Sequence, residues 1–169
     1  MRNAMLGLVL AVTATLLTTT DGRAQFTIAN TCKAEWVVDT TAPPGVVFKK
    51  PQVTGDGKIT AAAGPNNVIA YSLTVQFCEV RTTPGPNGTT RKDYTAVGTP
   101  SNASGGTFAS GSSITLSPAP YYPATGGKIY VTRFIRSYTK EWPSPQGPFT
   151  TYDIKDFYSE EQLLPLQAP

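Results

Sequence analysis

The chemistry open to this chain is narrow, because the sequence contains no histidine. Without an imidazole, a Ser-His-Asp triad, a Cys-His pair and a histidine-ligated metal are all excluded. The two cysteines, Cys32 and Cys78, are too few for a thiolate metal site and lack the Cys-x-x-Cys spacing of a redox pair. No glycine motif for phosphates or dinucleotides is present. The sequence therefore predicts no catalytic residue, no metal site and no cofactor.

A carboxylate pair is the remaining route to hydrolysis. Glu35 lies three residues after Cys32, and Glu79 directly follows Cys78. If the two cysteines are bonded, both carboxylates lie within about 10 Å of the bond, which is the scale of a glycosidase pair. Carboxylates on strands are more often solvated or paired with Lys or Arg. A small secreted carbohydrate-active hydrolase is therefore an alternative function and not the leading one.

Calcium binding is the other ionic possibility. Four carboxylates cluster near the C-terminus: Asp153, Asp156, Glu160 and Glu161. Calcium takes six to eight oxygen ligands, usually from a loop of closely spaced carboxylates. This cluster lacks such a loop, so we interpret it as ordinary surface charge.

Aromatic side chains offer a binding surface instead. Exposed rings on a β-sandwich can hold sugar rings or protein partners through their flat apolar faces. The candidates are Trp36, Tyr121, Tyr122 and Trp142. The alternative is that the tryptophans lie in the core and the tyrosine pair packs its own loop. We expect a protein or carbohydrate ligand at the cell surface or outside the cell.

Residues 1–24 have the pattern of a secretory signal peptide. Arg2 supplies a positive start, Met5–Leu17 is a short apolar run, and a polar segment of small residues ends at Ala24. The apolar run of about 13 residues is shorter than the roughly 20 needed to span a bilayer. The sequence therefore predicts a secreted or periplasmic protein, with one domain over residues 25–169 and no membrane span after processing.

Export also bears on the cysteines and the charge. An even cysteine count in a secreted chain favours a Cys32–Cys78 disulfide, which would constrain the unfolded chain by roughly 4 kcal/mol; two buried free thiols are the alternative.

Cleavage leaves 12 basic and 10 acidic residues, scattered along the chain. Such near balance predicts no nucleic-acid partner. Asn87 and Asn102 begin N-glycosylation patterns, whose use depends on the source organism.

Residues 67–80 show the clearest strand pattern. Five large apolar residues alternate with smaller or polar ones, which is typical of a strand with one buried face. They are Ile69, Tyr71, Leu73, Val75 and Phe77. Residues 26–38, 112–117, 128–138 and 149–154 also have strand character. Both faces of 128–138 are partly apolar, so the pattern leaves open which face is buried.

Turn signals separate these strands. Gly55-Asp56-Gly57 and residues 84–88 predict hairpin turns, and residues 98–111 predict a long polar loop. Ser159 opens a capping-box pattern that predicts a short helix. No long helix-period segment is present, so the sequence predicts an all-β fold: a single antiparallel β-sandwich, immunoglobulin-like or jelly-roll-like, with a small β-barrel as the alternative.

The segment Phe26-Thr-Ile-Ala-Asn-Thr-Cys32, followed by Trp36, resembles the opening strand of thaumatin-like proteins. The resemblance covers about a dozen residues, and the many further cysteines of that family are missing. It implies a secreted β-sandwich protein and no residue roles.

Together these features favour a secreted, non-enzymatic β-sandwich module for extracellular binding, adhesion or surface assembly. A secreted inhibitor or effector is a further alternative, presenting residues 98–111 or 118–123 to a partner protein.

Overall fold

A computed structural model describes residues 26–43, 45–63 and 67–166, which contain no α-helix. The strands are β1 (Phe26–Val38), β2 (Lys49–Ala61), β3 (Val68–Pro84), β4 (Thr90–Gly105), β5 (Ser113–Leu116), β6 (Ile129–Trp142), β7 (Phe149–Tyr158) and β8 (Gln162–Leu163). A 3₁₀ turn at Pro86–Gly88 joins β3 to β4 where the sequence predicts a turn. The signal peptide predicted at residues 1–24 lies outside the described residues.

The strands form two antiparallel sheets. The first sheet has the order β1-β2-β5, and the second has the order β4-β3-β6-β7, with β8 also pairing with β6. One of the two sheets is strongly curled into a half-barrel. We call the face of each sheet that points toward the other sheet its inner face. The predicted all-β fold is confirmed: its two antiparallel sheets are consistent with a β-sandwich or a small β-barrel.

β3 is the central strand that its alternation predicts. Leu73, Val75 and Phe77 are fully buried on its inner face. The pattern fails at Ile69, which is 42% exposed while Val68 is buried. The register with β6 shifts between Val68 and Ala70, and such a shift moves the next side chain to the other face.

The face of β6 that points toward the first sheet carries the buried residues Tyr130, Thr132 and Phe134, and Val131 on the opposite face is buried as well. Phe134 belongs to the main cluster of buried residues, and Tyr130 to a second cluster with Val53, Phe77 and Leu164. The Thr132 hydroxyl donates to the Thr31 carbonyl at 2.6 Å, which ties β6 to the first sheet.

The hairpin turn predicted at Gly55-Asp56-Gly57 is wrong, because all three residues lie inside β2. A Cβ added at Gly57 would lie 2.7 Å from a Val75 methyl and closer still to the Phe134 ring. The absent side chain lets β2 approach the second sheet. This glycine therefore serves packing between the sheets and not a reversal of the chain.

Two further expectations are corrected. Residues 98–105 belong to β4 and not to a loop, since residues 101–105 pair with residues 71–75 of β3. The short helix predicted at Ser159 is not formed: the Ser159 hydroxyl accepts from the Thr132 amide at 2.9 Å, so the capping hydroxyl binds a sheet amide.

The predicted Cys32–Cys78 disulfide is also wrong, because both residues are free thiols. Cys32 packs on the inner side with the cluster that contains Phe77. Cys78 directly follows Phe77 in the same strand, and adjacent strand residues point to opposite faces. Cys78 accordingly packs with Val80 and Val131 on the outer face. The second sheet therefore lies between the two thiols.

Candidate functional site

The four predicted binding aromatics do not share one surface. Trp36 is half-buried against the second core cluster, and its indole Nε1 donates to the Pro165 carbonyl at 3.0 Å. Tyr121 packs against the same cluster, edge-to-face on Tyr130, with ring centroids 6.1 Å apart. Both side chains serve packing between the sheets.

Of the other two aromatics, Tyr122 is exposed and Trp142 is half-buried, and they lie on different parts of the fold. Tyr122 is 49% exposed; its hydroxyl accepts from Gln52, and the Lys50 ammonium lies 4.8 Å from its ring centroid. Trp142 ends β6 opposite Phe149, and its Nε1 donates to the Thr151 hydroxyl at 3.0 Å. Of the four, only Trp142 lies on β6.

The two candidate catalytic carboxylates do not face each other. Glu35 alternates with the inward residues of β1, so it points away from the second sheet, and it pairs with Lys33 at 2.7 Å. Glu79 lies on the second sheet, accepting from Lys128 at 2.7 Å and Arg81 at 3.3 Å. Since the first sheet stands between the two groups, they cannot act on one glycosidic bond.

Glu79 gives the fold a pH dependence. The hydrogen bond from Lys128 lowers the pKa of Glu79 below its ordinary value, with a smaller contribution from Arg81. A carboxyl with a lowered native pKa stabilises the fold above its unfolded pKa of about 4.3, and this stabilisation is lost as the pH falls through the native pKa.

We expect Glu79→Gln to cost about 1 kcal/mol of unfolding free energy at neutral pH and to reduce the loss of stability on acidification. Urea unfolding of both proteins between about pH 3 and about pH 7 measures this. Equal pH slopes would contradict the role of Glu79. Glu35→Gln is the control, because Glu35 is an exposed partner of Lys33.

The C-terminal acidic residues are mostly neutralised by cations. Asp153 pairs with Arg136, Asp156 with Arg133 and Glu161 with Lys92. In the described part of the chain, no group of three or more His, Cys, Asp or Glu residues is arranged to hold a metal ion.

A cleft of about 520 Å³ separates β1 from the segment that follows β7. Its lining includes Cys32, Lys33, Ser159 and Glu160. Burial raises the pKa of the Cys32 thiol to about 11, against which the Thr132 and Ser159 hydroxyls act only weakly. Because the thiolate is the nucleophile, the raised pKa makes this cysteine a weak nucleophile at neutral pH.

Thiol titration tests this arrangement. We expect two free thiols per unfolded chain without reductant, and in the folded protein a Cys32 reactivity about 100-fold below that of an unperturbed thiol, since its pKa is raised from 9.0 to about 11. Cys78 is fully buried and should react only on unfolding. Fewer than two free thiols in the unfolded chain would show that Cys32 and Cys78 form a disulfide after all.

The two sheets have four outer edges in the described chain, and three of them are protected. An open edge with exposed apolar residues invites pairing with another chain, and proteins usually block it with short strands, prolines, bulges, charges or a covering segment. β5 has only four residues. β4 contains Pro100, a register shift and the charged run Arg91–Asp93.

β1 is protected by bridges from the C-terminal segment. The side-chain Nδ2 of Asn30 donates to the Phe157 carbonyl at 3.1 Å, and the indole Nε1 of Trp36 donates to the Pro165 carbonyl at 3.0 Å. Between these two bonds, the Thr132 hydroxyl of β6 donates to the Thr31 carbonyl. These side chains block pairing with a further strand along this edge.

Over residues 149–156 the outer edge of β7 has no bulge, and no other strand of the described chain pairs with it; its only protection is the charge of Asp153, Lys155 and Asp156. β7 is the last strand in the order of its sheet and contains no proline or glycine. Three large apolar side chains are exposed on it: Phe149 (52%), Tyr152 (68%) and Ile154 (59%). Its cover begins at Phe157, where Asn30 binds the carbonyl.

The inner face of the β6–β7 ribbon, residues 136–157, is held by alternating cations and rings. The Arg136 guanidinium lies 4.4 Å from the Tyr138 ring centroid, and the Lys140 ammonium lies 4.8 Å from the same centroid. Burial and the nearby Arg136 charge lower the pKa of Lys140. The Arg136–Asp153 pair, at 2.5 Å, fastens β7 to β6. The ribbon is thus braced on this face.

The outer face of the ribbon is uncovered. Tyr152 and Ile154 point there, opposite Thr139 and Ser137 of β6. Beside the end of the ribbon, an open groove of about 660 Å³ runs between Ile69, Phe108, Glu141 and Pro148. The strand edge, its exposed side chains and this groove form the candidate docking site.

Sequence reasoning counts Tyr152 among the possible binding aromatics but misses Phe149 and Ile154 as site residues. Tyr152 and Ile154 alternate with the charged residues Asp153 and Lys155, which is the signal of a strand with one apolar face. The sequence does not say which strand ends its sheet, so it could not show that this face and edge are open.

Comparison with known proteins gave no match to any family model, curated protein or solved structure. Among the described residues, none forms a helix long and apolar enough to cross a membrane.

Proposed function

We propose that this chain is an exported, non-enzymatic binding module that joins partner polypeptides by accepting their extended segments at the edge of β7. The observation that carries the proposal is the unpaired outer edge of β7, the last strand in the order of its sheet, with exposed Tyr152 and Ile154. Export is supported by the signal-peptide pattern of residues 1–24.

Strand addition suits this edge physically. An incoming extended segment would satisfy the outward amides and carbonyls of β7, and side chains on alternate positions would contact Tyr152 and Ile154. The braced ribbon lowers the entropy lost on binding, because β7 is already held in the extended conformation by Arg136 and the rings beside it.

A library of displayed decapeptides, selected on the folded protein, tests the proposal. We expect selected peptides to bind the wild type and to lose at least tenfold in affinity for Ile154→Lys, because a charge replaces an apolar contact on the pairing strand. Leu163→Lys is the matched control, since Leu163 is equally exposed on β8. It should leave affinity unchanged.

The outcome that would contradict the proposal is equal binding to the wild type and Ile154→Lys. A library that yields no binding peptide would contradict it as well. Circular dichroism of each variant ensures that a loss of binding does not come from unfolding.

A further inference from the structure

We propose that the segment docking on β7 is β7 of a second copy of this chain, in an antiparallel two-fold pairing centred on Ile154. This inference rests on the proposed function, because it names the occupant of the same edge. It would make the protein a self-assembling module.

The alternation of side chains limits the possible registers. Directly opposed residues lie on the same face of a sheet, so a symmetric pair of identical strands has one residue opposite itself at the centre. On β7, Ile154 is the centre that places unlike charges together. Asp153 of each copy then lies opposite Lys155 of the other, and Tyr152 lies opposite Asp156.

The neighbouring registers are unfavourable. A centre at Asp153 or at Lys155 places two like charges directly opposite each other, and such pairs are destabilising. A centre at Asp156 does the same and also moves the contact toward Phe157, where Asn30 of the first sheet already binds. A centre at Tyr152 places Phe149 opposite Lys155 and forms no opposed charge pair.

The apolar contact supports the same centre. The two Ile154 side chains, each 59% exposed, would meet on the outer face with Tyr152 on either side. The second sheets of the two copies would then continue into one another, through the order β4-β3-β6-β7 and its reverse. The edge left open in the single chain is closed by this pairing.

Sedimentation velocity over a range of protein concentrations tests the association. We expect reversible dimers of the wild type, and at least tenfold weaker association for Lys155→Glu, because two Asp–Glu contacts replace two Asp–Lys contacts. Lys58→Glu makes the same change of charge at an exposed position on β2 and should leave the dimer unchanged.

Cysteine cross-linking tests the register. Directly opposed residues have Cβ atoms about 5 Å apart, so Ile154→Cys should give a covalent dimer on mild oxidation. The two Tyr152 positions are offset by four residues, roughly 14 Å along the strand, so Tyr152→Cys should give none. Wild type is the control: Cys78 is buried, and the half-buried Cys32 thiol has a raised pKa. Equal cross-linking at both positions would overturn the register.

The result separates this inference from the proposed function. If the wild type stays monomeric at high concentration while Ile154→Lys still loses peptide binding, the self-pairing is wrong and the docking edge stands. If Ile154→Lys changes neither peptide binding nor sedimentation, both are wrong.

Discussion

Replacing Phe134 by alanine is expected to lower the free energy of unfolding by about 4 kcal/mol. Phe134 is fully buried in the main cluster, where β6 meets the first sheet. Its removal leaves a cavity between two sheets whose backbones are held by hydrogen bonds on both sides, so the space closes only in part. For a chain of this size the loss corresponds to a fall in Tm of about 8–16 °C.

Denaturant unfolding of Phe134→Ala beside Phe149→Ala measures the effect. The control removes the same ring from a site that is 52% exposed, and we expect a change within about 0.5 kcal/mol. Comparable losses for the two variants would mean that the sheets do not pack on Phe134.

The second large effect concerns Gly57, the position where the first sheet comes nearest to Phe134. Gly57→Ala is expected to cost about 2 kcal/mol, because the added methyl would overlap a Val75 methyl and the Phe134 ring. Gly106→Ala is the control: its nearest neighbour, the Ile69 carbonyl oxygen, lies at 3.6 Å, which is ordinary contact.

A double variant shows whether the cost comes from this contact. Trimming the ring with Phe134→Leu should relieve part of the overlap, so Gly57→Ala with Phe134→Leu is expected to be more stable than the sum of the two single losses predicts. If the two single losses simply add in the double variant, the cost of Gly57→Ala does not come from contact with the Phe134 ring. It would then come from another source, for instance the β2 backbone.

The buried face of β3 and the glycine at position 57 show what the sequence could predict and what it could not. The alternation of Leu73, Val75 and Phe77 predicts a buried strand face, since period-two burial is a local property. The hairpin turn predicted at Gly57 is wrong because glycine is used both in turns and where two backbones approach closely. Only the residues packed against it, on the second sheet, decide between these two uses.

The remaining errors have similar causes. A polar stretch such as residues 98–105 becomes a strand because β3 offers it a pairing edge. The predicted Cys32–Cys78 disulfide is wrong because Cys32 packs against the inner face of the second sheet, whereas Cys78 packs on its outer face. The sequence does not show on which face of the sheet each cysteine lies. The docking edge depends on sheet order, and sheet order arises from long-range pairing that no local pattern encodes.

Hydrogen exchange along β7 tests the central claim most directly. When a decapeptide selected from the displayed library is added, we expect slower exchange of amides in residues 149–156, with little change in residues 90–105 of the opposite edge, β4. Such protection would show that the incoming segment pairs with the β7 backbone. Unchanged exchange in residues 149–156, or protection confined to another edge, would contradict strand addition at β7.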